Sequence, residues 1–122
     1  MRRSFTPLTV QALLTSLALC CLPAAAGSID ADGAEKLIKA SGCSKCHTPD
    51  KKKDGPAYRD VAAKFRSLAD ADDKITHHVT AGDKVKFPDG HEESHKKVKT
   101  TDSADIKNLV AWIRAHEGGT KY

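Results

Sequence analysis

Cys43-Ser44-Lys45-Cys46-His47 is the stretch that decides how this chain is read. Two thiols separated by two residues, with a histidine directly after the second, form the signature of covalent haem attachment. Each thiol can form a thioether with one vinyl group of the same haem, and the histidine then falls beneath the iron. Ser44 and Lys45 only span a distance. The same thiol spacing serves redox dithiols and half zinc sites, so the flanking sequence has to choose among them.

Toward the N-terminus, Arg2 and Arg3 precede an apolar run from about Leu8 to Leu22, and Pro23-Ala24-Ala25-Ala26 supplies small residues suited to cleavage after Ala26. This pattern predicts a secretory signal peptide over 1–26, too short and wrongly flanked for a retained membrane span. Cys20 and Cys21 each follow a bulky or thiol residue, where a lipidation site would want a small one. Cleavage would leave one domain over 27–122, exported to the periplasm, with Cys43 and Cys46 as its remaining cysteines. In an exported protein such a pair becomes a disulfide or haem thioethers. Loss of Arg2 and Arg3 takes the formal charge from +4 to +2, and two haem propionates would bring it near zero. That balance gives no sign of a nucleic-acid partner. Aromatic residues make up only 5% of the chain, and so small a domain usually needs a staple to fold stably. A covalently held haem is one.

Working toward the C-terminus, the segments that show a period show a helical one. Asp32-Gly33-Ala34-Glu35 reads as a capping box, Leu37 and Ile38 supply an apolar face, and Gly42 stops the helix. Thr48 to Pro56 is a loop by composition. Tyr58, Val61, Ala62, Phe65 and Leu68 recur at helical spacing. A short helix is predicted over about 71–81, with Gly82 at its end. Asp83 to Thr100 lacks a clean period and reads as an extended loop. Thr101 or Asp102 can cap a last helix with the stripe Ile106, Leu109, Val110 and Ile113, closed by Gly118-Gly119. No segment shows sustained strand alternation, so the expected fold is all-α, about four helices around one haem.

With these pieces placed, the chain resembles the small bacterial class I cytochromes c over essentially its whole mature length. The residues that carry the resemblance are Gly42 to His47, then Gly55-Pro56-Ala57-Tyr58-Arg59-Asp60-Val61-Ala62-Ala63-Lys64-Phe65, and the closing Leu109-Val110-Ala111-Trp112-Ile113. The resemblance implies one haem c with its iron, thioether-bound through Cys43 and Cys46, with His47 as proximal ligand. It also implies that the Pro56 carbonyl accepts a hydrogen bond from the second ring nitrogen of His47, which fixes the imidazole and raises its basicity. Trp112 is expected to pack the last helix against the first. A cationic residue near His78 can contact a haem propionate in this family, and Phe87 falls where relatives place an aromatic beside the haem. His116, near a helix C-terminus, reads as a partly positive imidazole suited to the helix dipole.

The family usually supplies a methionine as the second axial ligand, from the loop before the last helix. Here the single methionine is Met1. The corresponding loop, Phe87 to Val98, carries His91 and His95. Counting forward from Gly82 puts the ligand near His91; counting back from the last helix puts it near His95. His95 is preferred, because it leads directly into the last helix and its anchored end should hold a ligand more firmly. His91, beside Pro88-Asp89-Gly90, is the alternative and suits a turn. A pentacoordinate iron and ligation by Lys84, Lys86 or Lys96 remain open. Cys43, Cys46, His91 and His95 also match the residue types of a zinc site, but at far longer spacing, and they leave His47 unexplained.

These readings predict a monohaem carrier of single electrons rather than an enzyme, with bis-histidine ligation and a potential below that of His/Met relatives. The expected partner is a redox protein, docking at a rim of Lys51, Lys52, Lys53, Lys96, Lys97 and Lys99. A monomer is expected. The competing function is haem-based binding or sensing of nitric oxide, carbon monoxide or oxygen at a weakly held sixth position. A haem subunit of a larger oxidoreductase is a third.

Overall fold

The computed structural model describes residues 27–116. The expected signal peptide over 1–26, and Gly118-Gly119 as the stop of the last helix, lie outside the described residues.

Helix α1 (Ala31–Ser41) starts ahead of the expected capping box: Asp30 is its cap, and its carboxylate accepts from Gly33 N at 2.9 Å. Asp32 sits in the first turn, where a negative charge suits the helix dipole. Ala34, Ile38 and Ser41 are buried on one face. Gly42 ends the helix at φ +74, a left-handed conformation that only glycine adopts without strain, and its N–H returns to the carbonyls of Ile38 and Lys39. The turn throws the chain straight into a short 3-10 helix, Cys43–Lys45.

The loop from Thr48 to Pro56 folds back on that segment. Gly55 N donates to Cys46 O (2.9 Å), and Tyr58 N donates to Thr48 O (2.9 Å). Helix α2 (Tyr58–Phe65) follows. It is shorter than the apolar spacing suggested: beyond Phe65 the chain turns, and Leu68 is left exposed. Helix α3 (Ala71–Ala81) ends at the left-handed Gly82.

The stretch expected to be a plain extended loop contains a small antiparallel hairpin. Strand β1 (Lys84–Lys86) pairs with β2 (Glu92–Ser94), Lys84 opposite Ser94 and Lys86 opposite Glu92. Strands of three residues that stay largely exposed carry no hydrophobic alternation to read, so the pairing leaves no trace in the sequence. Helix α4 (Ser103–Arg114) is capped by Asp102, whose carboxylate accepts from Ala104 N (2.7 Å).

Helix α4 packs against α1, α2 and α3, and the core lies where the four meet. Leu109, Val110, Trp112 and Ile113 are its buried contribution, each worth roughly 1.5–3 kcal/mol of burial. The start of α1 is tied to α4 by a reciprocal pair, Asp30 N to Asn108 Oδ1 and Asn108 Nδ2 to Asp30 O, both at 2.8 Å. The architecture is thus four helices with one small hairpin, and the hairpin sits in the segment that leads back to α4.

Candidate functional site

Between α1, α2, α3 and the 83–98 segment lies a cavity of about 790 Å³, within the size range of cofactor sites. Cys43, Cys46 and His47 form one wall. Ile38, Val61, Phe65, Ile75 and Leu109 contribute apolar surface, as a flat hydrophobic group requires. Cys43 and Cys46 are not joined in a disulfide. Before attachment, burial above all, with a smaller contribution from the nearby Cys46, pushes the Cys43 thiol above its ordinary range.

His47 is fixed from two directions. Its Nδ1 donates to the Pro56 carbonyl at 2.7 Å, which leaves Nε2 as the free ring nitrogen. Gly55 backs the same ring: a Cβ built there would come within 2.5 Å of Cε1. The glycine is therefore a cradle for the imidazole, a role with no signal in the sequence beyond its place before Pro56. Tyr58 stacks on the ring as well, with centroids 5.5 Å apart.

The opposite wall carries His95 and His78. The imidazoles of His47 and His95 face each other with centroids 6.1 Å apart and planes 57° apart. Two imidazoles sharing one metal, each nitrogen about 2.0–2.1 Å from it, place their ring centres about 6 Å apart. The spacing therefore fits an iron held between these two side chains. His95 N donates to Asp83 O (2.8 Å) and Val98 N donates to Val79 O (2.8 Å), so backbone bonds fasten this segment to the end of α3. Ser41 Oγ accepts from Lys99 N (2.9 Å) and ties it to α1 as well. Burial, and after it the neighbouring His78 and His47, depresses the His95 pKa. His78 is depressed for the same leading reason, opposed in part by Asp83. Both stay neutral near pH 7, the form that can bind metal.

His91 lies outside the cavity. The hairpin register puts it in the turn before β2, where Asp89 pairs with its Nδ1, Glu93 approaches Nε2 at 3.4 Å, and its ring stacks on Phe87 with centroids 4.4 Å apart. Both ring nitrogens thus face carboxylates. Phe87 itself lines the cavity. Since His91 does not converge with Cys43, Cys46 and His95, the zinc arrangement has no geometry, and no cluster of three or more metal-binding side chains suited to a bare ion occurs among the described residues.

His77 also lines the cavity, and its Nε2 pairs with Asp83 (2.9 Å). Of the lysines expected to form a rim, Lys96 lines the cavity, Lys53 Nζ donates to Ser44 O (3.2 Å), and Lys52 borders a small cleft with Lys86, Phe87 and Pro88. Lys64, Lys74 and Lys86 also reach the cavity, unforeseen from the sequence.

His116 corrects an expectation. It is 2% exposed, packed on Trp112 with ring centres 4.4 Å apart, and burial lowers its pKa. It is a neutral core residue rather than a partial positive charge at the end of α4. No helix among the described residues is long and apolar enough to cross a membrane.

The chain is similar to known proteins of one family. A family model described as Cytochrome c matches residues 31–117. Cytochrome c-551 of Allochromatium vinosum is 39% identical over 83 residues, 63% of this chain and 79% of that protein. Cytochrome c-551 of Pseudomonas aeruginosa is 43% identical over 63 residues, 48% of this chain and 61% of that one. The crystal structure of Class 1 cytochrome MtoD from Sideroxydans lithotrophicus ES-1 superposes with a TM-score of 0.68 at 52% identity, covering 71% of this chain and 96% of the other.

Proposed function

The chain belongs to the cytochrome c family and carries one covalently bound haem c, and from that premise we propose that it is a periplasmic single-electron carrier whose iron is held by two histidines. When bound, the haem supplies an iron centre that gains or loses one electron. What remains is the work of the chain.

Cys43 and Cys46 furnish the two sulfurs. His47 Nδ1 is engaged by Pro56 O, so Nε2 is the nitrogen presented to the metal, and the hydrogen bond strengthens it as a donor. His95 supplies the second imidazole. The observation that carries this assignment is the 6.1 Å spacing of the two rings, set beside a His91 that faces carboxylates outside the cavity. Held by His47 and His95 together, the iron would offer no open position to a substrate, which suits electron transfer rather than catalysis. Two imidazoles favour the ferric state, so the potential lies below that of relatives with an axial methionine. The apolar walls would pack against the flat faces of the group. His78 and Phe87 serve as walls on the distal side, and the edge of His78 is open to a propionate.

For the partner, the lysines of two loops, Lys51, Lys52, Lys53 and Lys96, Lys97, Lys99, are the candidates, and of these Lys96 lines the cavity. They form a basic rim for an acidic redox protein, whose association should slow with rising ionic strength. Residues 1–26 act as a signal for export, and the chain works as a monomer.

The spectrum of the holoprotein tests the ligand set. Low-spin ferric haem that ignores carbon monoxide when reduced is expected for the wild type and for His91→Ala. His95→Ala should turn high-spin and bind carbon monoxide. Wild-type protein that is high-spin and binds carbon monoxide readily would make it a gas binder instead.

A further inference from the structure

The two axial candidates are held in different ways. On one side, the hydrogen bond to Pro56 O fixes the rotation of the His47 ring. On the other, His95 Nδ1 is buried and makes no well-formed hydrogen bond among the described residues, with only a weak pull from the backbone of Lys96. An imidazole tethered to a metal through one nitrogen turns freely about that bond unless something else stops it. Metal-bound histidines normally donate their second ring N–H for this purpose. Here a side chain takes that place: the ring of His78 lies against His95, with centroids 4.1 Å apart and planes tilted by 44°. The contact is of ring against ring. The backbones beneath them are locked together by the Asp83 O and Val79 O bonds, so His78 cannot drift away from His95.

Building on the reading of His95 as second axial ligand, we propose that His78 is a positioning residue, whose ring sets the plane of the His95 imidazole and keeps it crossed with that of His47. In the structure those planes stand 57° apart. The angle between two axial imidazole planes controls the splitting of the iron d orbitals, and therefore the g values of the ferric ion. A ring held by packing should give one narrow orientation; a ring released should give a spread.

The test is electron paramagnetic resonance of ferric holoprotein for wild type, His78→Ala and His78→Phe, with far-ultraviolet circular dichroism to check the fold. His78→Ala should shift and broaden the low-field g feature, and His78→Phe, which restores a ring face without nitrogens, should return it close to the wild-type position and width. A high-spin His78→Ala alongside a low-spin His78→Phe supports the same role, the ligand being lost when its support is removed. Wild-type g values and width in His78→Ala would overturn the proposal while leaving the two-histidine reading intact. So would high-spin iron in both variants, which would make His78 itself the ligand. A high-spin wild type would instead bring down the ligand reading and this proposal with it.

Discussion

Gly55→Ala is the sharpest perturbation of the site. The added Cβ would lie 2.5 Å from His47 Cε1 and 2.9 Å from each ring nitrogen, where ordinary contact begins at 3.4 Å. Gly55 is not among the glycines with positive φ, so alanine brings no backbone strain and the effect isolates the steric contact. The ring must move by about 0.9 Å, the gap between 2.5 and 3.4 Å, and His47 is anchored by its chain neighbour Cys46. A shift of that size away from Pro56 would stretch the 2.7 Å bond toward about 3.6 Å, no longer a hydrogen bond. Overpacking costs about 1–3 kcal/mol, and the lost bond adds about 1 kcal/mol. Guanidinium denaturation of the holoprotein should therefore show a loss of about 2–4 kcal/mol. The potential should move as well. A histidine without its partner is a weaker donor and favours ferric iron less, so the potential rises, by about 59 mV for each tenfold loss of preference. An alanine variant with unchanged stability and unchanged potential would refute the cradle argument.

The remaining predictions are local. Asp102→Ala removes the cap on α4 and should cost about 1 kcal/mol, a fall in Tm of about 4–8 °C for a domain this size. At the hairpin turn, Asp89 raises the His91 pKa above 6.5, while hydrogen bonds from His91 lower that of Asp89 below 3.8. The His91 contribution is complete below pH 6.5 and fades as pH climbs through its raised value. The Asp89 contribution is present above pH 3.8 and fades as pH falls through its lowered value. The pairing is therefore strongest in the window between, and an NMR titration should show His91 losing its proton at lower pH in Asp89→Asn. Burial lowers the His116 pKa below 6.5, so the unfolded chain binds its proton first and stability falls as pH drops below 6.5. His116→Phe should flatten that part of the stability profile, measured as the difference from wild type in denaturation at pH 5 and pH 7.

Local signals in the chain itself were enough to place four helices. Gly42 and Gly82 mark the ends of α1 and α3, because each needs a left-handed backbone, and Thr101-Asp102 announces α4, of which the structure uses Asp102 as the cap. Cys43, Cys46 and His47 lie within five consecutive residues, so the attachment motif could be read without any knowledge of packing. Where two local signals competed, the order along the chain did not choose between them. Asp30 displaced the box at Asp32 as the cap of α1, and α2 stopped at Phe65 although its apolar spacing continued to Leu68.

Tertiary structure alone decided what faces the cavity from the far side. His91 and His95 are four residues apart in similar polar surroundings, and nothing in composition separates them. Pairing of Lys84 with Ser94 and Lys86 with Glu92 puts one in an exposed turn and carries the other onto α3, within reach of His78. The burial of His116 and the cradle at Gly55 have the same origin, since each depends on a surface contributed by a separate part of the chain. Motifs and caps act over a few residues and are written in order; contacts between elements depend on how those elements close upon one another, and sequence spacing does not encode that distance.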